Sequence, residues 1–437
     1  MGIGHWALGI GHWADAIHRV STIVSLVLLV LLVLLVSLVL LVSLVLLVLL
    51  VSLVLLVLLV SLVLLMNSFP YCPNESDWSI NWPALEAEFD WLRSLADCPQ
   101  NPRYHAEGDV LIHTKLVCEA LVALPQWRAL PAKERSVLFA AALLHDVAKP
   151  AATEISDDGA ISSKGHVIQG AKMAQQILWD LQVPLPEREA IASLVKYGSL
   201  PLWFWDKPNP ERAVIKASQI IRCDLLALLA EADVKGRYCD DKAQLLERIE
   251  FFREFCQENH CFNQPRPFPS AHSRFIYFQK EDGNPNYEAY DDTRCQVVLM
   301  SGLPGAGKDT WISENLPDWQ VISLDKLRQT MGIQPEDDQG VVANAAKALA
   351  KEYLRHGQSF VWNATNISRQ LRSMLIRLFA SYQANIRIVY LETAWSESLR
   401  RNRDRAAKVP ESVLYRLKYK LEVPNITEAH TVDWRVH

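Results

Sequence analysis

The segment Gly302-Leu303-Pro304-Gly305-Ala306-Gly307-Lys308-Asp309-Thr310 restricts this chain more than any other. Its three glycines permit a turn in which backbone N–H groups converge on one point, and Lys308 adds a positive charge there. A turn of this kind works between a strand and a helix. The flanks agree: Gln296–Ser301 is a short apolar run, and Trp311–Asn315 continues a helix opened by the loop. Val321–Leu324, Phe360–Trp362 and Ile386–Leu391 repeat the strand pattern, with helical spacing over Asn344–Arg355, Arg369–Tyr382 and Glu397–Arg405. Alternating strands and helices predict a parallel sheet.

The loop predicts ATP as the ligand of Gly302, Leu303, Pro304, Gly305, Ala306, Gly307, Lys308, Asp309 and Thr310, with Mg²⁺ beside it. One position departs from the common pattern. A Ser or Thr normally follows the lysine and offers its hydroxyl to Mg²⁺; here Asp309 stands there. Asn363, at the end of the third strand, occupies the place where many such kinases carry a carboxylate. The expectation is that the metal-facing carboxylate has moved from strand to loop. Asp325 and Arg328 lie at the tip of the second strand, facing the ligand crevice of such sheets. Asp325 can accept a proton from an attacking hydroxyl and Arg328 can hold a substrate phosphate; a helix N-cap is the competing role for Asp325. Arg400, Arg401, Arg403 and Arg405 cluster late in the chain, with Arg401 and Arg405 one turn apart. They suit either a lid that neutralises a transferring phosphoryl group or a solvated basic face.

Upstream, apolar residues recur at helical spacing in Leu85–Leu95, His113–Leu124, Lys133–Leu144, Val167–Leu181, Glu187–Lys196, Ala213–Leu229 and Ala243–Phe255. His113 opens one helix, the pair His145-Asp146 ends another, and Asp233 ends a third. Two imidazoles and two carboxylates make a mixed nitrogen–oxygen set suited to a divalent transition metal such as Mn²⁺, Ni²⁺ or Co²⁺, with Fe²⁺ and Zn²⁺ also compatible. A metal there would polarise a phosphoryl oxygen. Lys149, His166, Arg237, and with less support His105 and Lys196, could hold the phosphate or protonate a leaving group. Each histidine taken alone is more often a structural residue; the set as a whole is what is specific.

The glycine loop, the Asp325/Arg328 pair and the late arginines resemble the 5′-hydroxyl polynucleotide kinases. The resemblance implies that the loop binds ATP through Lys308, Asp325 is the general base, Arg328 binds the phosphate next to the acceptor hydroxyl, and one or both of Arg401 and Arg405 act as lid arginines. The helical set resembles the HD phosphohydrolase superfamily. Within it, the stretches His105 to Thr114 and Glu231 to Arg237 are similar to the HD domain of bacterial tRNA nucleotidyltransferases. The two modules in this order resemble the bacterial HD-Pnk RNA end-healing enzymes. That resemblance implies phosphorylation of 5′-OH ends, removal of 2′,3′-cyclic, 2′- or 3′-phosphates, RNA or DNA ends as partners, and an RNA ligase acting on the products. A small-molecule or nucleoside kinase fused to an HD nucleotide phosphohydrolase is the alternative, and a non-catalytic ATP-gated binding module is a third reading.

The first 65 residues are of another kind. From Ser25 to Leu65 the chain uses only Leu, Val and Ser, and Val recurs at every third position from Val24 to Val63. Residues 2–8 nearly repeat at 9–15. A strict period of three fits neither helix nor strand and is what translated repeat DNA would give, so the expectation is a true start at Met66. The competing reading is a membrane anchor. A helix of about 60 Å would be roughly twice the hydrocarbon thickness, and membrane association follows only if residues 1–65 are translated.

The 437 residues then divide into an extension (1–65), an all-α HD-type domain (66–265), a linker (266–292) rich in Pro and Asn, and an α/β kinase domain with a parallel sheet (293–437). A net charge of −5 argues against a broad nucleic-acid-coating surface but permits an enzyme that grips a strand end. Eight cysteines without a C-x-x-C pair suggest reduced thiols in a cytoplasmic protein.

Overall fold

A computed structural model describes residues 4–66, 69, 71–333, 339–404 and 408–436. Gly4–Met66 is one helix. Three residues advance a helix by about 300°, so the valines precess around it and every face is apolar. Helical geometry therefore tolerates the three-residue period that the sequence set against it. From Val20 to Val57 the large apolar side chains are each at least half exposed, and Arg19–Val57 is long and apolar enough to cross a membrane.

Ser68–His437 forms a second, compact unit. Its first part is helical. Ala132–Leu144 is buried along its last ten residues, with Val110–Ala123, Leu185–Tyr197 and Cys223–Gly236 packed around it. Gly236 explains one close approach. A Cβ there would stand 2.7 Å from the Val117 backbone nitrogen, so only glycine lets helices Val110–Ala123 and Cys223–Gly236 meet at this point. His113 lies one turn before Val117 and Asp233 one turn before Gly236. That contact therefore sets the register of two candidate metal ligands. A short hairpin, β1 (Glu154–Ile155) and β2 (Ile161–Ser162), pairs antiparallel beside this region.

Two predicted helices are each divided in the structure. Leu85–Leu95 splits into Trp82–Glu88 and Asp90–Arg93, because Phe89 turns extended to pack in the core. Ala213–Leu229 splits into Pro210–Ser218 and Cys223–Gly236.

The second part is a five-stranded sheet built from β3 (Cys295–Ser301), β4 (Gln320–Ser323), β5 (Phe360–Asn363), β6 (Ala384–Glu392) and β7 (Thr431–Val436). The order is β4-β5-β3-β6-β7 and every pairing is parallel, as the alternation predicted. All five carboxyl ends thus lie along one edge, where open sheets of this type bind ligands. Strand β7 has no counterpart in the sequence reading, nor has helix Glu411–Lys420.

The stretch 266–292, expected as a linker, carries helix Ala271–Gln279. Its Phe275 enters the apolar cluster under the sheet, and Arg274 donates to the His430 carbonyl at 2.6 Å. Helical part and sheet also meet directly. Arg188 makes a paired contact to Glu392 at 3.0 and 2.6 Å, both side chains buried, and Tyr390 donates its hydroxyl to the same carboxylate at 2.6 Å. Around this ion pair Trp179, Leu185, Leu303, Ile367, Tyr390, Leu421 and Val423 form one apolar cluster.

Candidate functional site

The two sets of candidate residues form two separate clusters. In the helical part, His113 Nε2 lies 3.3 Å from His145 Nε2, 3.2 Å from Asp233 Oδ1 and 3.9 Å from Asp146 Oδ2. His145 Nε2 lies 3.2 Å from Asp146 Oδ2. Second contacts orient both rings. His145 Nδ1 donates to the Ala142 carbonyl at 2.7 Å, and His113 Nδ1 lies 2.8 Å from Glu107 Oε1. The Nδ1 contact turns the His145 Nε2 lone pair inward, and His113 Nε2 faces the same point beside two carboxylates.

Burial disfavours charge on Asp146, but Lys149 at 2.7 Å and His145 hold the carboxyl well below its usual range. Asp233 behaves likewise, with Arg237 as the main compensating charge. Burial would lower His145, yet Asp146 outweighs it and raises the ring. A field that draws a proton onto an imidazole also draws a metal cation. These donors fit a divalent metal held by His113, His145 and Asp146, whose ligand atoms lie within 4.8 Å of one another, while Asp233 approaches His113 Nε2 at 3.2 Å and falls outside that group. Such an ion would supply Lewis acidity toward a phosphoryl oxygen.

A cavity of about 380 Å³ opens beside this set, lined by Gln100, Tyr104, His105, Lys149, Trp203 and Arg237 among others. Lys149 donates to Gln100 Oε1 at 2.6 Å as well as to Asp146, so its ammonium is fixed at the rim. His166, at the start of helix His166–Asp180, points Nε2 to within 3.6 Å of Asp146 Oδ1 while Nδ1 donates to the Ser163 carbonyl. Burial pushes His105 down, which favours its neutral form.

Lys196 is a correction. It lines a different cavity, of about 530 Å³, with Arg369, Glu422 and Glu428 of the sheet part, and it has no contact with the metal set among the described residues. Its helix runs from Leu185 to Tyr197, and at the far end of that helix the lysine faces the other domain. Glu107 was missed. It is buried and sits 2.9 Å from His105 Nδ1 and 2.8 Å from His113 Nδ1, with Oε2 accepting the Tyr238 N–H at 2.8 Å. Burial raises its pKa, but these contacts more than offset that and keep it ionised. Its position between His105 and His113 was the available signal.

In the sheet part the loop follows β3 and opens helix Lys308–Asn315, as expected. Gly302 has φ +146°, and a Cβ there would stand 2.4 Å from the Leu391 carbonyl oxygen, so the loop hugs β6 as only glycine allows. Lys308 Nζ donates to the Gly302 and Leu303 carbonyls at 3.0 and 2.9 Å, folded over the cradle where a phosphate would sit. Asn363 Nδ2 donates to Asp309 Oδ1 at 2.6 Å. The carboxylate is therefore on the loop and its amide partner on the strand.

Ser323, rather than Asp325, caps helix Leu324–Thr330. Asp325 is left exposed, 2.7 Å from Arg328 Nη1, while Arg328 Nε donates to Gln339 at 2.7 Å. On helix Trp395–Asp404, Arg401 reaches the loop, with Nη1 donating to the Gly305 carbonyl at 3.3 Å and Nε to Glu397 at 2.6 Å. Hydrogen bonds from Arg400 and Arg401 hold Glu397 at about 2. Arg400 pairs with Glu397 and Asp404 in solvent, so the basic-face reading holds for it. Arg405 lies outside the described residues.

Comparison with known proteins follows this division. Residues 110–219 match the model of the HD domain, and residues 297–424 match that of an AAA domain. Over 135 residues, 29% of this chain, the sequence is 24% identical to the L-seryl-tRNA(Sec) kinase of Methanococcus maripaludis. The chain spans about half of that relative's length, 53%. A solved structure titled as a kinase candidate from Chloroflexus aurantiacus shares 15% identity at a TM-score of 0.29, covering 33% of this chain and 86% of its own. The chain thus joins an HD domain to a P-loop, kinase-like domain in one polypeptide.

Proposed function

We propose that this chain heals broken polynucleotide ends. In this reading the P-loop domain transfers the γ-phosphate of ATP to a 5′-OH, and the HD domain removes a 2′,3′-cyclic, 2′- or 3′-phosphate. The observation that carries it is the union of two opposite phosphate chemistries in one compact unit, where Leu303 of the ATP loop packs beside Trp179 and Leu185 of the HD domain. Joining a kinase to a phosphatase is futile on one hydroxyl and productive on the two ends of a break.

The acceptor side agrees. Asp325 is exposed and unobstructed by its helix cap, so it can take the proton of a hydroxyl presented by a large substrate. Arg328 offers a guanidinium for the adjoining phosphate, and Lys308 with Arg401 neutralises the transferring group. Mg²⁺ would face Asp309. At the other centre Arg237 and Lys149 hold the phosphate, and His166 protonates the ribose oxygen that leaves as water adds to phosphorus. The relative named above is, by its name, a kinase of a seryl-tRNA, which favours RNA as the polymer here. An RNA ligase is the natural consumer of a 5′-phosphate and a free 3′-OH. Free cysteines support a reducing, cytoplasmic setting.

The test is incubation of the purified chain with ATP, Mg²⁺, Mn²⁺ and an RNA bearing a 5′-OH and a cyclic phosphate end, beside free nucleosides and sugars. Label gained at the 5′ end and phosphate lost at the other are expected. Preference for the small acceptors would replace this reading with a small-molecule kinase joined to a nucleotide phosphohydrolase.

A further inference from the structure

Three cysteines that neither centre uses converge inside the HD domain. Cys223 is the first residue of helix Cys223–Gly236, Cys256 lies in the last turn of Lys242–Glu258, and Cys261 follows that helix in a turn. All three are fully buried, and their Sγ atoms lie within 4.8 Å of one another. The approach is built. His260 takes a left-handed conformation (φ +54°), and the Cys261 N–H donates to the Cys256 carbonyl at 2.8 Å, so the chain doubles back and turns both sulfurs to one side. The Asp224 N–H donates to the Phe262 carbonyl at 2.9 Å and ties that turn to the helix bearing Cys223.

Three buried sulfurs this close to one another form a donor set suited to a soft cation. Cys223 stands at a helix N-terminus, facing the turn that carries Cys261. The Arg266 charge acts on Cys261, and Arg266 Nε is buried with no hydrogen-bond partner among the described residues. The rest of the guanidinium faces solvent, with Nη1 donating to the Pro267 carbonyl at 2.9 Å and Nη2 to Asn286 Oδ1. Three thiolates around Zn²⁺ carry one net negative charge, which the guanidinium cancels.

We propose that Cys223, Cys256 and Cys261 bind a structural Zn²⁺, distinct from the His–Asp centre. Soft thiolates select zinc over the hard cations of the kinase site. The nearby Ser218 hydroxyl donates to the Ile215 carbonyl at 2.7 Å and accepts the Arg266 N–H at 3.2 Å, so the three sulfurs are the protein ligands of the ion. The ion staples the end of Lys242–Glu258 to the start of the helix whose far end carries Asp233, and so braces the catalytic metal site from behind. The proposal is independent of the polynucleotide reading.

The test uses the full chain carrying His145→Ala and Asp146→Ala, which removes the other metal centre. Elemental analysis should still find about one equivalent of zinc, and cobalt exchanged into the protein should give a thiolate charge-transfer band in the near ultraviolet. Adding Cys223→Ser, Cys256→Ser and Cys261→Ser should abolish both. Should that variant fail to fold, titration of the parent with a mercurial should release zinc in step with three thiols. Zinc absent from the His145→Ala/Asp146→Ala protein overturns the proposal. So does a disulfide among the three cysteines, or a cobalt spectrum without the sulfur band.

Discussion

The phosphate loop and the His–Asp cluster both concentrate polar and charged groups, by opposite means. The loop does so with contiguous residues: its glycines, its lysine and the helix that follows are neighbours in sequence, and the backbone carries much of the work. The His–Asp centre draws its donors from three helices spread between residues 113 and 233, and depends on helix packing such as that of Gly236 on Val117. The first is a local device that any suitable strand and helix can present. The second exists only when the domain core is formed, so its chemistry and its stability are one property.

That contrast can be attacked at the joint between the parts. Arg188→Ala leaves Glu392 and Glu189 in the interior without their cation. A loss of about 3–5 kcal/mol in unfolding free energy is expected, measured by denaturant titration, with both activities affected because the pair stands between them. A loss below about 1 kcal/mol would mean the parts are held by their apolar cluster alone.

Separation of the chemistries comes next. Lys308→Ala should lower kinase turnover by about 10²–10³ and leave phosphate removal unchanged. Asp146→Ala should do the reverse, and one variant that lost both would contradict the division.

Glu107→Gln sharpens the point that the metal centre is built in depth. Removing the charge that faces His105 and His113 should weaken metal affinity by about 10- to 100-fold, read by competition with a chelator, with the helices intact by circular dichroism.

The smallest effect concerns the crossing segment. His430 Nδ1 accepts the Ile386 N–H at 3.0 Å, and its Nε2 lies 3.1 Å from His272 Nδ1, so the ring must stay neutral to hold helix Ala271–Gln279 on the sheet. Burial, with His272 beside it, pushes His430 down to about 4. The unfolded chain binds this proton more tightly than the native one. The contribution is therefore complete above about pH 6.5 and is lost as pH falls toward about 4, by about 1–3 kcal/mol. His430→Gln should flatten that part of the stability profile.

What the sequence revealed follows the same contrast. The strand–loop–helix unit, Asp309 opposite Asn363, and the convergence of His113 with His145 and Asp146 were all legible, because each rests on residue type and short spacing. Glu107 was harder, since a buried carboxylate that serves two imidazoles looks like any loop glutamate. Lys196 was misplaced because its helix is long enough to carry one end to a different cavity, and helical period alone does not say which end faces which neighbour. Strand β7 was missed because Thr431–Val436 reads as an ordinary terminus until β6 offers it an edge. The breaks at Phe89 and after Ser218 were hidden because apolar spacing continues across both, and only packing chooses the turn. The convergence of Cys223, Cys256 and Cys261 depends on a fold-back at His260 that no spacing rule announces.

Leu303 is common property. It belongs to the ATP loop by sequence and to the HD domain's apolar border by contact. A scissors cut between the domains would leave this leucine wet on one fragment and a greasy socket at Trp179 and Leu185 on the other. The two catalysts are thus poor interchangeable cassettes: anyone grafting the kinase elsewhere must also supply the patch of foreign helix on which its nucleotide loop rests.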